Sequence, residues 1–80
     1  MYVYILRSKK NKRFYIGTTE NVNARLKQHN KGENKSTKPY RPWEIAKMEE
    51  YPDKTLALKR EKFFKSGVGR RVIKNLLHDK

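Results

Sequence analysis

MYVYIL (Met1–Leu6), RSKKNKR (Arg7–Arg13) and FYIGT (Phe14–Thr18) together decide the fold. Two short runs rich in aromatic and β-branched residues flank one short polar stretch, which predicts an antiparallel hairpin. The first run is apolar at consecutive positions, so both of its faces need cover. Strand alternation puts Tyr2, Tyr4 and Leu6 on one face, and Tyr15 with Gly17 on one face of the second strand. Cross-strand aromatic packing accounts for Tyr4 and Tyr15 without any function. Gly17 is less ordinary. A glycine weakens a strand, so one here points to a bulge or to a close approach by another group.

Working outward, TENVNARLKQHN (Thr19–Asn30) predicts a short helix. Thr19 or Asn21 caps its start, Gly32 ends it, and Val22 and Leu26 share a face. KGENKSTKPYRP (Lys31–Pro42) reads as a basic loop. WEIAKMEEY (Trp43–Tyr51) predicts a third strand, with Trp43, Ile45, Lys47, Glu49 and Tyr51 on one face; its good helix formers make a helix the rival. Lys54–Ser66 is helical, since Leu56 and Phe63, and Ala57 and Phe64, repeat every seven residues; Asp53 or Thr55 caps it. Gly67 and Gly69 break it. Val72, Ile73, Leu76 and Leu77 then mark a last amphipathic helix. The order ββαβαα predicts an α+β fold: a three-stranded, mainly antiparallel sheet flanked by helices, one domain over residues 1–80.

Composition narrows the function. Lys plus Arg is 21 and Asp plus Glu is 8, a net charge of +13, which favours a polyanionic partner. Charge alone does not separate a nuclease from an RNA binder or a structural nucleic-acid protein. The absence of cysteine excludes a disulfide staple, a thiolate zinc site and a cysteine nucleophile. No run has the length of a signal peptide or a membrane span, so the default expectation is a cytoplasmic protein with no membrane partner.

Three places can carry chemistry. Arg25 and His29 are four apart on the first helix and adjoin on one surface. The arginine offers a fork of donors to a phosphate, and the histidine can carry a proton near neutral pH; a solvated helix face explains both without function. Glu61 sits among Lys59, Arg60, Lys62 and Lys65. It is a salt-bridge partner, or else a carboxylate that tolerates a nearby phosphate because a cation such as Mg²⁺ intervenes. Lys35, Lys38, Arg41, Lys65, Arg70 and Arg71 are candidate contacts to a nucleic-acid backbone. Tyr40 and Trp43 either stack on a base or, for Trp43 especially, fill the core.

These pieces, in order, resemble the GIY-YIG nuclease signature. Tyr2-Val3-Tyr4 is followed after ten residues by Tyr15-Ile16-Gly17; Arg25 comes ten residues after Tyr15, His29 one helical turn later, and Glu61 on the later helix. RLKQHNKG, a Ser-Thr-Lys loop and an aromatic strand are similar to the small, uncharacterised YhbQ-like members. The first motif departs from the family pattern, with Tyr-Val-Tyr in place of Gly-Ile-Tyr. Asn75 either fills the place of an asparagine common in the family's terminal helix or faces solvent.

The resemblance implies a DNA endonuclease that hydrolyses phosphodiester bonds with one divalent ion, Mg²⁺ or Mn²⁺. Glu61 would hold the metal and Arg25 would stabilise charge growing at phosphorus. Tyr4 or Tyr15 would orient or deprotonate the attacking water, and His29 is the other proton acceptor. The implied setting is repair or recombination, on branched or damaged DNA, with low sequence specificity. Family members with defined roles carry a targeting domain, so a protein partner is expected to supply targeting here. The alternative is a non-catalytic nucleic-acid-binding module of the same fold.

Overall fold

The hairpin forms as the two apolar runs require. In the computed structural model, which describes residues 1–77, β1 (Tyr2–Ser8) and β2 (Phe14–Thr19) pair antiparallel with Tyr4 opposite Gly17. The remaining elements are α1 (Val22–Lys31), a 3₁₀ turn (Lys38–Tyr40), β3 (Trp43–Glu50), α2 (Lys54–Lys65) and α3 (Gly67–Leu77). The sheet order is β2-β1-β3, all antiparallel. The architecture is therefore the α+β, ββαβαα arrangement that the pattern predicts.

The central strand β1 explains the layering. Its alternation sends Val3 and Ile5 to one face, where they join Ile16, Ala57, Phe64 and Ile73 beneath α2 and α3. It sends Tyr4 and Leu6 to the other, where they join Val22 and Trp43 beneath α1, with Leu26, Tyr15 and Tyr40 around them. Both faces are covered, as consecutive apolar positions demand.

The expected caps resolve to one choice each. Asn21 Oδ1 accepts from Ala24 N at 3.0 Å, Asp53 Oδ1 accepts from Leu56 N at 2.9 Å, and Gly32 ends α1 in the left-handed region (φ 82°).

Four expectations need correction. Residues 43–51 form a strand, but an irregularity between Ile5 and Leu6 shifts its register. Trp43 and Ile45 consequently face α1, while Ala46 and Tyr51 pack with the α2–α3 core, so no single face runs from Trp43 to Tyr51. Gly69 does not break a helix. The break falls at Ser66, and Gly69 lies buried inside α3. On α2, Ala57 and Phe64 are fully buried and Phe63 packs partly against them, but Leu56 is 42% exposed. On α3 Ile73 is buried, but Val72 is half-buried and Leu76 is 49% exposed. The side chain of Leu77 lies outside the described residues, as do the last three residues of the expected domain.

Candidate active site at the edge of the sheet

Tyr4 is buried to 1% exposure, and its ring lies over Gly17. A Cβ on Gly17 would stand 2.5 Å from the Tyr4 hydroxyl oxygen. The bare backbone of Gly17 is therefore the floor on which the phenol rests, the close approach its presence in a strand suggests. His29 meets Tyr4 at its hydroxyl. Its Nε2 lies 3.5 Å from the Tyr4 hydroxyl, and its Nδ1 lies 2.9 Å from Thr37 Oγ1. Tyr15 closes the group, with its ring centroid 4.6 Å from that of His29 and 6.2 Å from that of Tyr4.

This placement corrects the reading of α1. His29 does not share a solvated face with Arg25: it is 2% exposed and points into the core, while Arg25 is exposed. Trp43 is likewise core, 4% exposed, with its indole N–H donating to Thr37 O at 3.0 Å. It is not free to stack on a base. Tyr40 is half-buried beneath Arg13, whose guanidinium lies 4.5 Å from the ring centroid.

Glu61 approaches from the other side of the sheet. Thr18, opposite Val3, faces α2, and its hydroxyl donates to Glu61 Oε1. Lys65 Nζ donates to Glu61 Oε2 at 2.9 Å, one helical turn away. Since β2 is an edge strand, its adjacent residues Gly17 and Thr18 carry Tyr4 on one face and Glu61 on the other. The edge is where the two faces of the sheet meet.

The electrostatics follow this geometry. Burial pushes the Tyr4 hydroxyl up to about 12, Tyr15 adds to the rise, Arg25 opposes it, and the Glu61 charge raises it again. Burial, then the Arg25 charge, holds His29 below its ordinary value of 6.5, so the imidazole is neutral at pH 7. For Glu61 burial acts to raise the pKa. The hydrogen bonds from Thr18 and Lys65, with the Lys65 charge, outweigh it and keep the carboxylate ionised at neutral pH.

Basic clefts lie beside β2, the end of α1 and the 3₁₀ turn. Arg13, Tyr15, Lys65, Arg70 and Lys74 line one of about 360 Å³. Arg25, His29, Asn34 and Lys35 line a second of about 350 Å³, which also contains Glu33. Lys10, Asn30, Lys38 and Arg41 line a third of about 410 Å³. The six candidate backbone contacts thus divide: Lys65 and Arg70 beside Tyr15, Lys35 beside Arg25, and Lys38 with Arg41 in the third cleft. Arg71 is exposed on α3 and lines none of these. Asn75 is exposed on the same helix. The sequence reading passed over Lys10, Arg13 and Lys74, which only their basic character signals. It also passed over Thr18, and it met Thr37 only as part of the Ser-Thr-Lys loop, with no role of its own.

A match to the GIY-YIG catalytic domain family spans residues 1–74 and contains every element of this site. The chain belongs to the GIY-YIG family.

The chain is 47% identical over 68 residues to the structure-specific endonuclease subunit SLX1 of Debaryomyces hansenii, a match covering 74% of this chain and 19% of that protein. It is 43% identical over 61 residues to a UPF0213 protein of Staphylococcus haemolyticus, covering 75% of this chain and 73% of the relative. A UPF0213 protein of Staphylococcus aureus is 41% identical over the same length. No solved structure gives a significant match. GIY-YIG membership carries the coarse activity, that of a nuclease domain hydrolysing phosphodiester bonds. Among the described residues, no helix is long and apolar enough to cross a membrane.

Proposed function

We propose that this GIY-YIG domain cleaves DNA with one bound divalent cation, Mg²⁺ or Mn²⁺, in repair or recombination in the cytoplasm. Its sequence specificity is low, and a protein partner supplies targeting. The observation that carries this reading is the meeting at the β2 edge of the Tyr4–His29 pair, Tyr15 and Glu61, with the Arg25 charge reaching Tyr4 and basic clefts alongside. The targeting partner rests on a further likeness, since the Debaryomyces hansenii relative is named as a subunit.

The donor set suits a hard divalent ion. Glu61 offers an ionised carboxylate, and the space before it already holds a cation, the half-exposed Lys65 ammonium. Among the described residues no three of His, Cys, Asp and Glu cluster as ligands, so Glu61 would hold the ion with at most one further side chain of these types. Water and phosphate oxygens would complete such a shell, as is usual for Mg²⁺. When bound, the metal supplies charge neutralisation at a nonbridging oxygen and at the leaving oxygen.

The remaining steps belong to side chains. Arg25 binds the scissile phosphate from the exposed face of α1 and stabilises the charge that grows there. A phenol whose pKa is about 12 is not a base by standing ionised. Tyr4 instead accepts the proton of the attacking water as its own passes to His29 Nε2, with His29 kept neutral by burial. Tyr15, half-buried at the mouth of a basic cleft, orients the water.

The test is cleavage of supercoiled and branched DNA with Mg²⁺ or Mn²⁺ by wild type and Glu61→Gln, both checked for folding by circular dichroism. Metal-dependent nicking lost in the folded variant is expected. Equal nicking by both proteins removes Glu61 from the site. Salt-sensitive binding without cleavage by either would replace this reading with a non-catalytic binding module.

A further inference from the structure

The Ser-Thr-Lys loop after α1 contains a residue to which the proposed chemistry gives no role. Thr37 is 2% exposed, and its Oγ1 lies 2.9 Å from His29 Nδ1 and 3.3 Å from the backbone oxygen of Asn34. We infer that Thr37 is a positioning residue: it fixes the neutral tautomer of His29, with the proton on Nδ1 and a free lone pair on Nε2 facing Tyr4. This rests on the reading of His29 as the proton acceptor of Tyr4.

Counting donors gives the assignment. A neutral imidazole has one N–H and one acceptor nitrogen, a hydroxyl has one O–H, and a backbone carbonyl only accepts. With the proton on Nδ1, His29 donates to Thr37 Oγ1, Thr37 donates to Asn34 O, and Tyr4 donates to His29 Nε2. Every buried hydrogen then has an acceptor. With the proton on Nε2, His29 donates toward Tyr4. The buried Tyr4 hydroxyl hydrogen then has nowhere to go, because among the described residues its one hydrogen-bond partner is that nitrogen. A buried polar hydrogen left without an acceptor is disfavoured, so the first arrangement is the stable one.

Thr37 can act this way because it is itself held in place. Its N–H donates to Asn34 O at 3.2 Å, and its carbonyl accepts the Trp43 indole N–H at 3.0 Å. The Trp43 backbone is clamped in turn by the Asn30 side chain, which accepts from Trp43 N at 2.7 Å and donates to Trp43 O at 3.1 Å. The start of β3, the loop and the end of α1 thus aim a single hydroxyl oxygen at His29 Nδ1. A partner on the far nitrogen of a working histidine sets which nitrogen is basic.

Nitrogen-15 NMR of the full chain, labelled at histidine and assigned with His29→Gln, reads the tautomer directly. Wild type is expected to show a protonated Nδ1 and an unprotonated Nε2 at pH 7.5. Thr37→Val keeps the shape but removes the acceptor, and should move the proton wholly or partly to Nε2; Thr37→Ser should restore the wild-type pattern. Cleavage should follow, with kcat lower by roughly tenfold or more in Thr37→Val, within the ~10²–10⁴-fold that a positioned base contributes. KM should be unchanged and Thr37→Ser near wild type. A wild-type His29 protonated on Nε2 overturns the inference, whether or not the variants fold, and so does an unaltered tautomer in Thr37→Val. A shifted tautomer with undiminished cleavage leaves Thr37 as the residue that sets the tautomer and instead removes His29 from the proposed chemistry.

Discussion

A methyl group at Gly17 would stand 2.5 Å from the Tyr4 oxygen and 2.7 Å from the carbon that bears it. Neither distance is tolerable, and Tyr4 has no room to retreat because His29 and Tyr15 pack around it. Gly17→Ala is therefore expected to displace the phenol, abolish cleavage and destabilise the protein by about 1–3 kcal/mol, the usual cost of overpacking. Gly67→Ala is the matched control, since a Cβ there meets nothing within 4 Å. Thermal melts and cleavage assays of the two variants check this, and similar behaviour by both would be evidence against the close approach. His29 sets a second expectation. Its pKa is lowered from 6.5, and the proposed chemistry needs the neutral ring. Cleavage should stay level from pH 8 down to about 6.5 and fall only below that, as the native ring takes up its proton. Stability has the same sign. Below about pH 6.5 the unfolded chain binds a proton that the native ring resists, so unfolding becomes easier as pH falls. An acid limb centred above pH 6.5 would assign the limb to another group.

At the scale of elements, the joint between α2 and α3 supports the Glu61 side of the site. Gly69 is buried against the Phe63 carbonyl and the Phe64 backbone, and a Cβ there would overlap both. Phe64 is fully buried at the centre of the α2–α3 core. Gly69→Ala should push α3 away from α2 and cost about 3 kcal/mol or more. None of the proposed catalytic side chains is on α3, so cleavage at low temperature should persist while the melting temperature drops. An unchanged melt would show that α3 has room to move. The elements also show the limits of periodicity. Alternation correctly predicted β1, because the extra residue of the irregular β1–β3 pairing, Ala46, lies on β3 and leaves the central strand's own period of two intact. On β3 a register shift handed Trp43 to one core and Tyr51 to the other, and a shift of pairing leaves no mark in a pattern of residue types. Leu56 and Leu76 look like core residues from their spacing, yet among the described residues nothing covers them fully, and they stay 42% and 49% exposed.

For the whole molecule, charge is sorted rather than spread. Glu44 pairs with Arg7 at 3.0 Å, and Glu49 with Arg60 at 2.9 Å and Lys47 at 3.8 Å, so two acids of β3 are matched by nearby cations. Hydrogen bonds from Arg60 and Tyr51 hold the Glu49 pKa down even though burial acts to raise it. The basic clefts lie instead beside β2, the end of α1 and the 3₁₀ turn. Binding to duplex DNA should therefore be strongly salt-dependent. If the five candidate cations that line clefts neutralise one phosphate each, log K should fall with log salt at a slope of about −4.5. Lys65→Gln with Arg70→Gln should flatten it by about 2. A slope near zero for wild type would remove the phosphate backbone as the main contact.

The hairpin, the helix caps, the ββαβαα order and the basic character were legible in the chain itself, because propensity, capping and alternation are local and charge is additive. So was the ordered set Tyr4, Tyr15-Ile16-Gly17, Arg25, His29 and Glu61, because each motif is short and its spacing survives folding. The chain could not show that His29 turns inward while Arg25 stays in water, since two residues four apart on a helix are neighbours on paper whichever side the sheet takes. Nor could it show that Thr37, eight residues further on, completes the histidine, or that Thr18 and Lys65 hold Glu61 ionised. Those are contacts between elements distant in sequence. They exist only once both faces of the sheet are buried and the edge strand brings the two faces together.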